Sequence, residues 1–349
     1  MFGRLNVRQL FETLGGFLLA LALLVLFVVS FVSFAGAASH KSIAAHPLAL
    51  LPGSAELVVS LDTFALRKSD LVAQMEQRFD SIPEAADNYR RFVEETGLDP
   101  RQDTDQILMA MRHVGGGIDA GDAGFLIVAQ GRFGASRLVD AAAEKGGSTI
   151  QHPGGARVWI SEAGAGGASA GGKVMALAQP DDSTLLFGDR QEVTRVLDIL
   201  SGKSAPEVKD ARLKEQLTGV DRRAPAWAVL NSSALAGKLS AEIGESSDSW
   251  KPGAAALSKV DSVALMGWIG RDVEVKARVA AKDAETAGLV ADMVRGALAA
   301  GKVAAQDRDP ELLKILQEAN VTLSGATLEL EARIPASRFQ VRETRNVTN

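Results

Sequence analysis

Two hydrophobic rhythms alternate along most of the chain. A short, strand-like apolar run comes first, then a polar break, then a stretch whose apolar residues recur every three or four positions. ELVVSLD (56–62) precedes Leu71, Val72, Met75 and Phe79 on one helical face. FLIVAQ (125–130) precedes Ala135, Leu138, Val139 and Ala142, and TLLFG (184–188) precedes Val193, Val196, Leu197 and Leu200. AWAVL (226–230) precedes another short helix, and VEVKARVAA (273–281) precedes Leu289, Val290, Met293 and Val294. A period near 3.6 buries one stripe of a helix, and helices with one buried stripe pack on a sheet.

Local signals sharpen these elements. Asp189 and Glu192 have capping-box spacing. Asp309 stands before Pro310, a cap followed by proline at the first helical position. Val273, Val275, Ala277 and Val279 alternate with Glu274, Lys276 and Arg278. One sheet face is therefore wet, which favours antiparallel pairing. From Lys259 the chain reads as a hairpin turning at Gly270, Arg271 and Asp272.

A different pattern occupies the beginning. No charged residue occurs between Glu12 and Lys41, and Gly15 to Phe34 would rise about 30 Å as a helix, the depth of a bilayer core. Arg4, Arg8 and the amino group precede this run, and Lys41 closely follows it, so the N-terminus is expected in the cytoplasm and the rest outside. The run exceeds an ordinary signal-peptide core, favouring an uncleaved signal-anchor. Cleavage after Ala37, within Ala35-Gly36-Ala37, would instead release a secreted soluble binding protein.

The expected fold is α+β: an N-terminal transmembrane helix followed by two similar α+β halves, with mainly antiparallel sheets flanked by amphipathic helices. The expected organisation is a cytoplasmic N-terminus (1–13), signal-anchor (14–37), juxtamembrane linker (38–53), first half (54–204), connector (205–221), second half (222–340) and flexible tail (341–349).

Composition removes chemistry more than it supplies it. The 349 residues carry a net charge of −5 and 5% aromatic residues, so neither a basic field nor a stacking surface recruits nucleic acid. Cysteine is absent, excluding disulfides, thiolate metal sites and thiol nucleophiles. GAGGASAGGK (164–173) matches a G-x-S-x-G elbow around Ser169 and most of a P-loop ending at Lys173. All four histidines, His40, His46, His113 and His152, precede Ser169, against the chain order of an α/β-hydrolase triad. Val174 replaces the Mg²⁺-binding Ser or Thr, and KVMALAQ reads as a strand where a P-loop needs a helix. The segment is expected to be a glycine-alanine loop between strands. Asp99, Asp103 and Asp105 are candidates for a hard cation, without the spacing of an EF-hand. The simpler reading has Asp103 or Thr104 capping a helix that carries Ile107, Leu108 and Met111. Trp159, Trp227 and Trp268 read as core or sheet-face residues, and Trp250, in a polar loop, as a candidate partner contact.

LPGSAELVVSLDTFALRKSDL, ETGLDPRQDTDQI and LLFGDRQEVTRVLDILSG, behind an N-terminal anchor, resemble uncharacterised bacterial membrane-anchored or exported proteins of domain-of-unknown-function type, over about residues 50–340. The resemblance implies export and an α+β fold, and carries no catalytic residues. The leading expectation is a non-enzymatic binding, scaffolding or envelope-assembly protein in the bacterial inner membrane. It would meet the lipid bilayer through residues 14–37 and a protein partner in the envelope, with no nucleic acid, cofactor or metal. The alternative is an exported hydrolase without a recognisable motif.

Overall fold

The computed structural model describes residues 47–112, 124–161, 174–206, 211–231, 256 and 258–339. A 3₁₀ turn (Pro47–Leu50) leads into β1 (Leu57–Asp62), then α1 (Thr63–Leu66), α2 (Asp70–Asp80), α3 (Pro83–Thr96) and α4 (Pro100–Asp103). β2 (Thr104–Arg112), β3 (Gly124–Gly131), α5 (Leu138–Glu144), β4 (Ser148–Gln151), β5 (Arg157–Ile160), β6 (Met175–Asp181), β7 (Thr184–Asp189) and α6 (Arg190–Leu200) follow. After α7 (Ala211–Thr218) come β8 (Ala226–Asn231), β9 (Val260–Ile269) and β10 (Asp272–Ala281). Then come α8 (Ala284–Ala305), α9 (Pro310–Glu318), β11 (Asn320–Ser324), β12 (Thr327–Pro335) and a closing 3₁₀ turn (Ala336–Phe339).

The expectation of two halves with separate sheets is wrong. All the strands among the described residues form one 12-stranded antiparallel sheet in the order β11-β12-β10-β9-β8-β1-β2-β3-β7-β6-β5-β4. The halves meet where β1 pairs with β8, in register from Leu57 opposite Leu230 to Leu61 opposite Ala226. The physical reason lies in β1 itself. Residues 57–61 are buried and only Asp62 is exposed, so the strand needs cover on both faces and a ladder on both edges. β2 supplies one ladder and β8 the other.

Outward from this junction the two sides follow the same strand order: β1-β2-β3-β7-β6 on one and β8-β9-β10-β12-β11 on the other. The registers also correspond. Val59 faces Ala228 across the junction, and each is flanked in turn by Met109 and Leu265, then by Ile127 and Ala277. Phe187 and Leu330 come next, then Leu177 and Val321. β4 and β5 extend the first side alone.

Both faces are covered near the junction. Val58, Leu108, Ala110 and Val229 point to one face, where Val193, Val196 and Leu197 of α6 and Leu217 of α7 pack. Leu50 and Leu51 join this core at 3% and 0% exposure. The end of the expected juxtamembrane linker is therefore part of the domain. On the opposite face, Val59, Leu61, Ala228 and Leu265 meet Leu66 of α1 and Val72 of α2. Phe92 of α3 and Leu138 of α5 pack farther along the first side, with Val290 and Ala291 of α8 on the second. The wet surface expected on β10 is present, with Lys276 bridging Glu329 and Glu331 at 2.8 and 3.1 Å.

Three local expectations need correction. Ile107, Leu108 and Met111 lie on strand β2, and no helix follows Asp103 or Thr104. Leu289 faces solvent, whereas Val290 and Ala291 carry the buried stripe of α8. Asp189 precedes α6 but gives it no side-chain cap; its carboxylate accepts the Phe125 N–H of β3 at 2.6 Å. Other features hold: Asp309 accepts the Leu312 N–H before Pro310, and β9 and β10 form the expected hairpin.

The expected anchor (14–37) and tail (341–349) lie outside the described residues. Among those described, no helix is long and apolar enough to cross a membrane.

Candidate functional site

The three candidate carboxylates come from one short stretch, Asp99 before α4, Asp103 at its end and Asp105 on β2, but face different partners. Asp99 caps α4, accepting the N–H groups of Arg101 and Gln102 at 2.9 and 3.2 Å. The Tyr89 hydroxyl donates to the same oxygen. Asp103 turns back to accept the Asp99 N–H at 2.8 Å and lies 3.8 Å from Arg132. Asp105 pairs with Arg67 at 3.0 Å. These carboxylates hold a short helix and fasten α1 to β2; they do not converge on a common point. Among the described residues, no group of three or more His, Asp or Glu side chains could hold a metal ion.

Around them the structure assembles a larger ionic and aromatic cluster. Arg101 makes a bidentate pair with Asp80 at 2.9 and 2.8 Å, and its guanidinium lies over the rings of Phe79 and Tyr89. Paired hydrogen bonds fix a guanidinium plane, and stacking on aromatic faces adds to that order. The cluster therefore locks α2, α3 and α4 together. The hydrogen bond from Arg101 is the main cause of the lowered Asp80 pKa. Burial, reinforced by Asp99, raises the Tyr89 phenol well above its ordinary value, so it remains a neutral donor. Arg67 is more deeply enclosed, with its side chain 8% exposed. It donates to the Thr63 and Thr104 carbonyls as well as to Asp105. Burial lowers its pKa, with Asp105 opposing.

Glu76 of α2 is the strained member. Desolvation raises its pKa, only partly opposed by Arg101. A raised carboxyl pKa burdens the folded state above the unfolded-state value of about 4.3, and not below it. Replacing Glu76 with Gln should therefore raise the melting temperature at neutral pH. The gain should disappear as pH falls below about 4, a pattern that thermal unfolding across pH will check.

A second charged group sits on the other face, built around Glu192 of the expected capping box. Glu192, in the first turn of α6, is 4% exposed. One carboxylate oxygen meets Arg112 of β2 at 2.7 Å, and the other meets Arg195 at 2.9 Å. Arg195 also donates to the Leu50 carbonyl at 2.7 Å. The Arg–Glu–Arg group thus joins β2, α6 and the turn that opens the domain.

His152, 7% exposed, is also a fastening residue. Nδ1 accepts the Gly154 N–H at 3.1 Å, and Nε2 lies 3.3 Å from Asp198 of α6. This ties the β4–β5 turn to α6. His40, His46, His113, Ser169, Lys173 and Trp250 lie outside the described residues. The strands on either side of GAGGASAGGK are β5 and β6, which pair directly with each other. A strand, not a helix, therefore follows Lys173, and the phosphate-binding reading fails on that geometry. Trp227 is buried and Trp268 packs against the same core. Trp159 donates its indole N–H to the Gly146 carbonyl at 2.7 Å.

The sequence leaves Tyr89 and Arg101 unmarked and marks Glu192 only as part of a capping box, because their roles depend on partners from other elements. A charged residue at a helical position that ought to be buried was the available signal for Glu192. Comparison of the chain with protein-family models, curated proteins and solved structures finds no match.

Proposed function

We propose that the chain is a single-pass, bilayer-anchored protein whose extracytoplasmic sheet domain serves binding or scaffolding in a bacterial envelope. The observation that carries this reading is the uncharged apolar run of bilayer length, followed closely by the first turn of a folded domain. From Ala37 to Pro47 an extended chain reaches at most about 36 Å, so the domain stays beside the membrane. Leu50 and Leu51 in the core, and the bond from Arg195 to the Leu50 carbonyl, fix that attachment point. The described ionic groups support a structural role, since they fasten helices to one another and loops to the sheet.

Topology is tested by adding trypsin to intact spheroplasts and to detergent-permeabilised ones. Digestion of the domain in intact spheroplasts is expected. Protection there, with digestion only after permeabilisation, would place the domain in the cytoplasm and contradict the proposal. Co-purification of the detergent-solubilised chain with a defined envelope protein is the expected outcome for a scaffold.

A further inference from the structure

We infer that Asn320 is an acceptor for N-linked glycosylation, the oligosaccharide coming from a lipid-linked pyrophosphate donor. The inference rests on the extracytoplasmic placement proposed above. Asn-x-Ser/Thr triplets begin at Asn231, Asn320 and Asn346. Transferases of bacterial envelopes also require an acidic residue two positions before the asparagine. Glu318 meets that requirement for Asn320, whereas Val229 and Thr344 stand at the corresponding positions for Asn231 and Asn346.

The fold presents this segment to an enzyme. α9 ends at Glu318, Ala319 is already extended, and β11 begins at Asn320. Alternate residues of an extended chain point the same way, so a transferase that lays the segment out reads Glu318, Asn320 and Thr322 from one side. All three are exposed. The Glu318 side chain lies 3.9 Å from Lys314, a surface pair weak enough to give way to a cation of the enzyme. The Asn320 carboxamide donates to the Thr322 hydroxyl at 3.4 Å, so both groups share one side of the strand. β11 pairs with β12 and ends the sheet order, leaving its other edge free among the described residues. It can therefore peel away without breaking a second ladder. Asn231 has the opposite setting, on central strand β8 opposite Ser262 with its carboxamide oxygen buried. In the transfer, the Asn320 amide nitrogen bonds to C1 of the first sugar as the bond from C1 to the pyrophosphate oxygen breaks. The lipid pyrophosphate leaves with that electron pair, and the amide gives one proton to a base of the transferase. A bulky hydrophilic group at the start of β11 would also keep a second strand off its uncharged free edge.

The test co-produces the full chain with a bacterial oligosaccharyltransferase and its lipid-linked oligosaccharide, in cells that also carry a periplasmic acceptor protein as control. Mass spectrometry of the tryptic peptide Ile315–Arg333 should show one oligosaccharide on Asn320. Asn320→Gln and Thr322→Ala should abolish it. Glu318→Gln should lower occupancy about tenfold or more, the scale of one lost charge-assisted hydrogen bond. Unchanged circular dichroism melts verify the fold of each variant. Occupancy that survives Glu318→Gln undiminished would overturn the inference. Thr344→Asp places an acid two residues before Asn346 and makes the tail a second acceptor, which separates the two ways of failing. Asn346 modified with Asn320 bare would overturn the inference and leave the extracytoplasmic placement standing. Both bare, with the control protein modified, would overturn the inference and the placement together.

Discussion

Replacing Val58 with aspartate should unfold both sides of the sheet together. Val58 is 0% exposed and stands opposite Ala110 on β2 and Val229 on β8, so it serves both sides. An unpaired carboxyl there is expected to cost at least about 4 kcal/mol, a large share of the margin of a domain whose total stability is about 5–15 kcal/mol. Val58→Ala, which removes apolar contact without adding a charge, should cost roughly 2 kcal/mol and leave the protein folded. Chemical denaturation followed by tryptophan fluorescence distinguishes them. Trp159 reports on the first side, and Trp227 and Trp268 report on the second. A Val58→Asp protein that loses the first signal and keeps the second would mean that the sides fold independently.

Glu192→Ala carries the second large effect. The substitution leaves Arg112 and Arg195 facing each other without the carboxylate that both now contact. Removing one partner from a buried ionic group typically costs about 3–5 kcal/mol, because the remaining charge stays desolvated. Glu192→Gln keeps the shape and one acceptor and should lose less. The damage should also reach the opening turn, since Arg195 holds the Leu50 carbonyl. Limited proteolysis should therefore cut near residues 47–56 in Glu192→Ala while the wild type resists. Wild-type stability in Glu192→Ala would show that the group contributes nothing net.

How much of this was legible in the sequence depends on whether the cause was local. The β9–β10 hairpin, α6 and the Asp309 cap were readable because alternation, periodicity and capping act over a few residues. β2 was misread for a physical reason. Leu108 and Ala110 pack on one face and Ile107, Met109 and Met111 on the other, so its apolar residues show no polar alternation. A central strand covered on both sides resembles a buried helix at short range. The single sheet was hidden for a related reason, because nothing local says which strand lies beside β1. Asp99, Asp103 and Asp105 were visible as a cluster, but their partners Tyr89, Arg132 and Arg67 come from other elements. Sequence proximity suggested a cation site, whereas three-dimensional contacts distribute the charges among caps and ion pairs.

The correspondence between the two strand orders gives the β1–β8 junction its importance. Matching sides of the sheet meet there through matching strands, and burial is most complete on both faces. Backbone hydrogen exchange of the full chain, read by mass spectrometry, tests this directly. Peptides covering Leu57–Leu61 and Ala226–Leu230 should be among the slowest to exchange, opening only with global unfolding, while edge strands β4 and β11 exchange far sooner. Exchange of the β8 peptide at the rate of an edge strand, with β1 still protected, would contradict the single sheet.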